Sequence, residues 1–337
     1  MDIILTYLNR KRGVISKSGF TVVELLIVIV VVAILATITI ISYRGVTQQA
    51  REASLLSAVK AGADELKLAA VDTKGVYPAN LAEADLTKQK GVTYFYQRAA
   101  STKGYCLTVS IDDVHYFQTN ESEKPARGTC EGLIAWWPLN GSAYDYSGNG
   151  INGTVNGATP TTGQNGKQDG ALSLGVTAQN VTIGNAPELS TVPQAFTYSI
   201  WVSRTGVSTS QWPVIMGANS SHTAFALRTN TYGQVVYFEY GTSPFAGATY
   251  TSIGANLSLS AANEWHLATI TYNGTTLRAY YDGVFKGEKN AAVYPTMVDL
   301  YLGTPTGGWV GNIDDARIYT RALSAAEVKE LYDAGAL

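Results

Sequence analysis

"WHLATITYNGTTLRAYYDGVF", Trp265–Phe285, is the stretch that decides the fold of this chain. Apolar and polar residues alternate along it with a period of two, the pattern of half-buried strands. Asn273-Gly274 and Asp282-Gly283 interrupt it, and both dipeptides accept the positive φ angles of type I′ turns. Three strands joined by two hairpins therefore form an antiparallel meander. Upstream, Phe196, Tyr198, Ile200 and Val202 repeat the alternation and share one strand face. Only 23 of the 207 residues from 131 to 337 are charged, while Gly, Thr, Asn, Ser and Tyr are common. Many short strands with almost no helix predict a β-sandwich over 131–337. One short helix is expected near the end, where Ser324 and Glu327 make a capping box and Gly335 is placed to stop it.

Several pieces of this region, "LIAWWPLNGSAYDYSGNGINGT", "DGALSLG", "FTYSIWVS" and "GNIDDARIYTRALSAAEVKELY", together with the opening stretch, resemble the laminin G-like, concanavalin A-like jelly roll. The resemblance is strong in the first and last quarters and weaker from Ser203 to Ala262. It implies two curved sheets, and a module that binds glycans, proteins or a calcium ion and in most cases catalyses nothing. If Ala316 and Ile318 face inward, so does Asp314, and a buried carboxylate needs partners. In the family, calcium sometimes sits between the segments that correspond to Asp145–Gly150 and Asp314. Asp145, Asn149 and Asp314 would then be hard oxygen ligands. The alternative is that Asp314 accepts backbone N–H groups from the amino-terminal loop.

Trp136, Trp137, Trp201 and Trp265 are expected in the core or at its edges. Trp212, Tyr232, Tyr237, Tyr240 and Tyr250 lie in the weakly matching middle, the place for a sugar-stacking surface, with Trp212 and Tyr250 the candidate ligand contacts. No E-x-D-x-x-E or G-x-S-x-G pattern occurs, and Glu239 and Glu264 stand apart from other acids, so no enzyme is expected.

Residues 72–130 read as a small head. "DTKGVYP" ends a helix with Gly75 and Pro78, and three β-like runs follow: Val92–Arg98, Tyr105–Ile111 and Val114–Gln118. So small a sheet buries little core alone. The only two cysteines, Cys106 and Cys130, offer a disulfide across it in an oxidising exterior, the alternative being two free thiols. Such a bridge near the head's carboxyl end also resembles pilins.

Ahead of the head, Phe20–Ile41 is a 22-residue run whose only charge is Glu24. At about 1.5 Å per residue it spans the roughly 30 Å hydrocarbon core. Arg10, Lys11, Arg12 and Lys17 precede it, which keeps that end in the cytoplasm and exports the rest. A cleaved signal peptide would have a shorter core followed by small residues, whereas here Gly19 comes first. Glu24 at membrane depth costs roughly 2.5–3.5 kcal/mol or more and calls for a cation. No Lys, Arg or His lies within one turn of it. A free α-amino group at Phe20, made by a cut after Gly19, would supply the charge, most easily between neighbouring subunits.

"GFTVVELLIVIVVVAILATI" closely resembles the amino terminus of type IV prepilins and of the pseudopilins of type II secretion. That resemblance implies a leader, 1–19, removed by prepilin peptidase after Gly19, methylation of Phe20, and Glu24 as the assembly carboxylate. Loss of the leader moves the formal charge from −2 to −5. An apolar stripe of Val46, Ala50, Ala53, Leu56, Val59, Ala63, Leu66 and Ala70 continues the helix, so that 20–71 forms one rod with 20–41 in the membrane. Its distal half is expected on the protein's own head and its proximal half against other pilin subunits.

The net charge gives no basis for nucleic-acid binding, and the three histidines form no zinc pattern. Together the readings predict a subunit that starts in the inner membrane and is drawn into a pilus, minor or at the tip, where it shows its sandwich to an extracellular glycan or protein. A secretion pseudopilin is the alternative, and calcium is the one ion implied. Between Cys130 and Trp136 no flexible spacer occurs, so the sandwich is expected to be held close to the head.

Overall fold

The computed structural model describes residues 21–84, 86–99, 103–112, 114–122, 124–175, 179–184, 195–208, 213–218, 226–229, 235–241, 250–259, 263–290, 300–303 and 309–335. It divides into two units, Met1–Arg51 and Glu52–Leu337.

In the first unit helix α1 (Val22–Asp72) begins. Thr21 caps it: the Glu24 N–H donates to Thr21 Oγ1 at 3.2 Å, and Glu24 Oε2 accepts from the Thr21 N–H and hydroxyl at 2.9 and 2.8 Å. Val22–Thr39 has a mean hydropathy of 3.0 with none of it buried, and is long and apolar enough to cross a membrane. Thr37 and Thr39 hide their hydroxyls on the carbonyls of Ala33 and Leu35, both at 2.8 Å.

The second unit takes over the helix from Glu52. Leu55, Ala58, Val59, Ala63, Leu66 and Ala70 are buried there with Leu107 and Val109. The stripe is thus met at Val59, Ala63, Leu66 and Ala70 but not at Ala53 and Leu56, which are exposed. Helical spacing allows either i−3 or i−4 before Val59, and packing against the sheet selects Leu55.

That sheet has four antiparallel strands in chain order: β1 (Thr93–Arg98), β2 (Tyr105–Ile111), β3 (Val114–Thr119) and β4 (Ala126–Arg127). Tyr105, Leu107 and Val109 face α1, while Cys106 and Phe117 face the other way, into a cluster shared with the sandwich. Covered on both sides, the first five residues of β2 are all buried.

The sandwich follows as β5 (Leu133–Trp137), β6 (Thr154–Asn156), β7 (Thr159–Thr161), β8 (Ala171–Leu174), β9 (Asn180–Gly184), β10 (Phe196–Arg204), β11 (Val214–Ala218), β12 (Ala226–Thr229), β13 (Val235–Gly241), β14 (Tyr250–Ser258), β15 (Trp265–Tyr272), β16 (Thr276–Tyr281), β17 (Val284–Asn290), β18 (Leu300–Gly303) and β19 (Gly311–Tyr319). One sheet has the order β17-β16-β15-β10-β19-β8-β7, with β5 also on β19, and the other β14-β13-β12-β11-β18-β9-β6. This is a jelly-roll sandwich. Phe196, Tyr198, Ile200 and Val202 all enter the core between the sheets, with Trp137, Ile215, Phe238, Ile270 and Leu302.

The two hairpins of the opening stretch differ. Asp282 and Gly283 have φ of 53° and 72° and close a two-residue turn between Tyr281 and Val284, as type I′ requires. At Asn273-Gly274 only Gly274 has positive φ, and Tyr272 pairs with Leu277 across a longer connection. The Asn273 side chain builds that turn instead, accepting the N–H groups of Thr275 and Thr276 at 3.1 and 2.8 Å.

A bulge in β19 overturns the expected orientation of Asp314. Ser199 lies opposite Arg317 but Trp201 lies opposite Asp314, and Asp315 takes a φ of 44°. One extra residue resets the alternation. Ile313, Ala316 and Ile318 point into the core, whereas Asp314 is buried on the opposite, outer face.

Helix α2 (Ala325–Gly335) covers that outer face. Its capping box is formed, with the Ser324 N–H on Glu327 Oε2 at 2.8 Å and the Glu327 N–H on Ser324 Oγ at 3.3 Å. Val328 and Leu331 pack with Trp136, Trp201, Tyr319 and the head residues Cys106, Phe117 and Cys130 in one cluster. Gly335, expected as a stop signal, permits close approach: a Cβ there would lie 2.4 Å from the Trp201 ring.

Candidate functional site

Gly19 and Phe20 lie outside the described residues. Glu24 meets no cation within its own turn but the N–H and hydroxyl of Thr21. Thr21-x-x-Glu24 is a capping-box spacing, a signal in the sequence that the membrane reading passed over. Cys106 and Cys130 form a disulfide with Cα atoms 6.2 Å apart, buried in the cluster that joins head and sandwich.

The Asp145–Gly150 loop is built for docking. Asp145 Oδ1 accepts the N–H groups of Trp136 and Ser147 at 2.9 and 2.8 Å, and Oδ2 accepts the Ser147 hydroxyl and the Ile151 N–H at 2.8 and 2.9 Å. Asn149 donates to the Ile134 carbonyl at 2.9 Å. The loop lies on the head, where Thr119 Oγ1 donates to the Tyr146 carbonyl at 2.6 Å. Gly148, at φ 92°, comes so near that a Cβ would sit 2.9 Å from Asn120 Oδ1. Asp314 accepts its N–H from Gln164 at 3.0 Å, from the loop after β7 and not from Asp145–Gly150. Asp145 has no lone pair left for a cation and Asp314 serves a different loop, so this donor set does not fit calcium. Among the described residues, no three His, Cys, Asp or Glu side chains gather as a cation cage.

Of the aromatic candidates, Trp212 and Tyr232 lie outside the described residues, Tyr237 and Tyr240 belong to β13, and Tyr250 opens β14 at the sheet edge. Glu264 is less isolated than its sequence context suggests. It lies 3.8 Å from His266 Nε2, whose ring contacts Asp282 through Nδ1 at 2.9 Å.

Sequence reasoning did not reach a cavity of about 360 Å³ between the head and the outer face of the sandwich. The head contributes Tyr116, Pro125, Ala126 and Arg127, and the end of α2 contributes Ala334 and Gly335. From the sandwich come Trp136, Gln164, Asn165, Asp314, Asp315 and Arg317. Arg317 is fully enclosed. It forms a bidentate pair with Asp315 at 2.9 Å for each bond, and its guanidinium stacks 4.8 Å from the Trp136 ring and 5.6 Å from Phe117. The Trp136 indole N–H donates to Asp315 Oδ1 at 2.5 Å. Burial alone would lower the Arg317 pKa, but Asp315 and Tyr319 more than offset it, and the group stays charged. Burial, reinforced by the adjacent Asp315 carboxylate, pushes the Asp314 acid up to about 8. Two buried donors, Arg317 Nη1 and Arg127 Nε, meet no hydrogen-bond acceptor among the described residues.

Residues 16–40 match the prokaryotic N-terminal methylation motif, and residues 175–329 match the concanavalin A-like lectin/glucanases superfamily. No curated protein matches the chain. Among solved structures the chain is similar to domain 4 of AbnA, an extracellular arabinanase from Geobacillus stearothermophilus in complex with arabinotriose, at 19% identity and a TM-score of 0.47, over 59% of this chain and 98% of that one. It is similar to the binding domain of Paraclostridial Mosquitocidal Protein 1 at 18% identity and a TM-score of 0.48, over 60% and 52% of the two chains. For the receptor binding domain of botulinum neurotoxin C/D mosaic serotype the values are 15%, 0.49, 61% and 52%. The chain spans about half the length of these two toxin domains.

Proposed function

We propose that this chain is a type IV pilus-like subunit, minor or at the tip, that presents its sandwich at the cell surface for adhesion or for capture of a glycan or protein. One observation carries the reading: a methylation motif followed by an uncovered apolar helix shares a chain with a lectin-like sandwich. In the precursor, Thr21 holds the Glu24 carboxylate. After prepilin peptidase removes 1–19, the new amino group of Phe20 on a neighbouring subunit offers Glu24 a full charge, a stronger partner at membrane depth than a hydroxyl. The exposed Leu25–Leu35 surface then packs against other subunits' helices in a filament core. A sandwich of this bulk is difficult to repeat at every filament position, which favours a minor or tip place. The module binds without turnover.

Mass spectrometry of the protein from its native host tests this directly. The expected mature chain begins at N-methylated Phe20, and labelled antibody marks sheared filaments sparsely or at their ends. An intact leader overturns the filament reading. A secretion defect without surface filaments moves the chain to a pseudopilus, and release of sugars from a polysaccharide panel removes the binding-only role.

A further inference from the structure

The cavity lies between two parts of the chain, head and sandwich, that share one buried cluster. Its fixed charges are matched locally. Asp315 neutralises Arg317, and Arg127 has Glu52 at 3.5 Å and Glu330 at 3.7 Å. Neither arginine is therefore an uncompensated cation that would select an anion. Burial, with the adjacent Asp315 carboxylate, raises the Asp314 pKa and favours its neutral acid form. What remains is a set of groups that both donate and accept: the amides of Gln164 and Asn165, the acid of Asp314 and the phenol of Tyr116. The Tyr116 phenol is held protonated by burial first and by the nearby Glu52. Sugar hydroxyls likewise donate and accept, and the half-buried Tyr116 ring adds a face for the apolar side of a pyranose. At about 360 Å³ the cavity is at the small end of ligand sites, which run roughly from 300 to 1,000 Å³.

We propose that this cavity is a binding site for a neutral mono- or disaccharide, formed jointly by Tyr116 and Arg127 of the head and by Gln164, Asn165, Asp314 and Arg317 of the sandwich. The inference rests on the reading of the chain as a surface-binding subunit and names the ligand class and the place. Arg127 and Arg317 line the wall, where Glu52, Glu330 and Asp315 hold their guanidinium groups in place. The site exists only with the head in place, so sugar recognition and the head–sandwich contact are one structural feature.

Saturation-transfer difference NMR tests it on the full chain in a sugar-free detergent, with glucose, galactose, mannose, N-acetylglucosamine and arabinose as probes and N-acetylneuraminic acid as the charged control. At least one neutral sugar is expected to bind, and the acid to bind more weakly. Gln164→Ala and Asn165→Ala, which change surface loop residues, and Tyr116→Ala on the head should each weaken binding about tenfold or more, equivalent to about 1.4 kcal/mol. An unchanged thermal midpoint in the Asn165→Ala chain shows that the fold is intact. No signal from any neutral sugar, a signal that survives all three substitutions, or a preference for the acid overturns the site. Adhesion of whole cells that persists with the three variants removes the cavity and leaves the surface-binding reading standing. An intact leader on the native protein removes that reading whatever the cavity binds.

Discussion

Glu330 in the last helix accepts the backbone N–H of His115 at 2.7 Å and contacts its Nδ1 at 2.9 Å, across 215 residues of sequence. This contact fastens the head sheet to α2, and Arg127 stands 3.7 Å from the same carboxylate. Sandwich and head are therefore joined by a polar clasp beside an apolar cluster, and each feature gives a measurable consequence.

The clasp makes stability depend on pH. The bond to Glu330 raises the His115 pKa, with burial opposing it and the Glu330 charge adding to it. The folded chain thus holds this proton more tightly than the unfolded one. The contribution is whole below the ordinary histidine value of about 6.5 and is lost as pH rises through the raised value. Glu330→Gln should cost roughly 1–2 kcal/mol at pH 6, with a smaller cost at pH 9. Urea unfolding of both chains across that range checks it, and a constant difference would contradict the clasp.

Asp314 gives a linkage of its own. Its folded value of about 8 lies above the ordinary carboxylate value, so the unfolded state releases the proton first. The penalty on folding begins near pH 4 and grows until about pH 8. Asp314→Asn should match the parent near pH 4 and exceed it in stability at pH 8 by about 1 kcal/mol or more. Differential scanning calorimetry at the two pH values reads the effect, and equal midpoints at both would remove it.

Calcium should not stabilise the chain through Asp145, Asn149 and Asp314. The Asp145 oxygens already accept four protein donors. The thermal midpoint is expected to be the same in millimolar calcium and in chelator. A rise with calcium that Asp145→Asn abolishes would restore the ion.

Reduction of the Cys106–Cys130 bridge should lower stability by roughly 2–4 kcal/mol, because the bond closes a loop with a sequence separation of 24 inside the shared cluster. The Cys106→Ala/Cys130→Ala chain should show the same loss and no further response to reductant. A response to reductant in that double variant would place the effect elsewhere.

The jelly roll and the long apolar helix were legible because their signals are local. Alternation around Phe196–Val202, the turn at Asp282-Gly283 and the apolar run from Val22 each specify their own few residues. Calcium ligation was drawn from a family pattern at Asp145 and Asp314, and the hydrogen bonds of this chain assign both carboxylates to other tasks. The face of Asp314 was misread because period two holds only while the ladder is regular, and one added residue at Asp315 reverses it.

By itself, the sequence determined the order of parts: an apolar rod, a small head and a β-sandwich. These follow from hydrophobic period, turn chemistry and membrane length, all of which act between near neighbours in the chain. Only the tertiary structure decided that head and sandwich share a core, and that residues as distant as Tyr116 and Gly335 line one cavity. The reason is that burial and charge compensation depend on what packs against a side chain, and at Arg317, Asp314 and Glu330 the deciding neighbours come from remote parts of the chain.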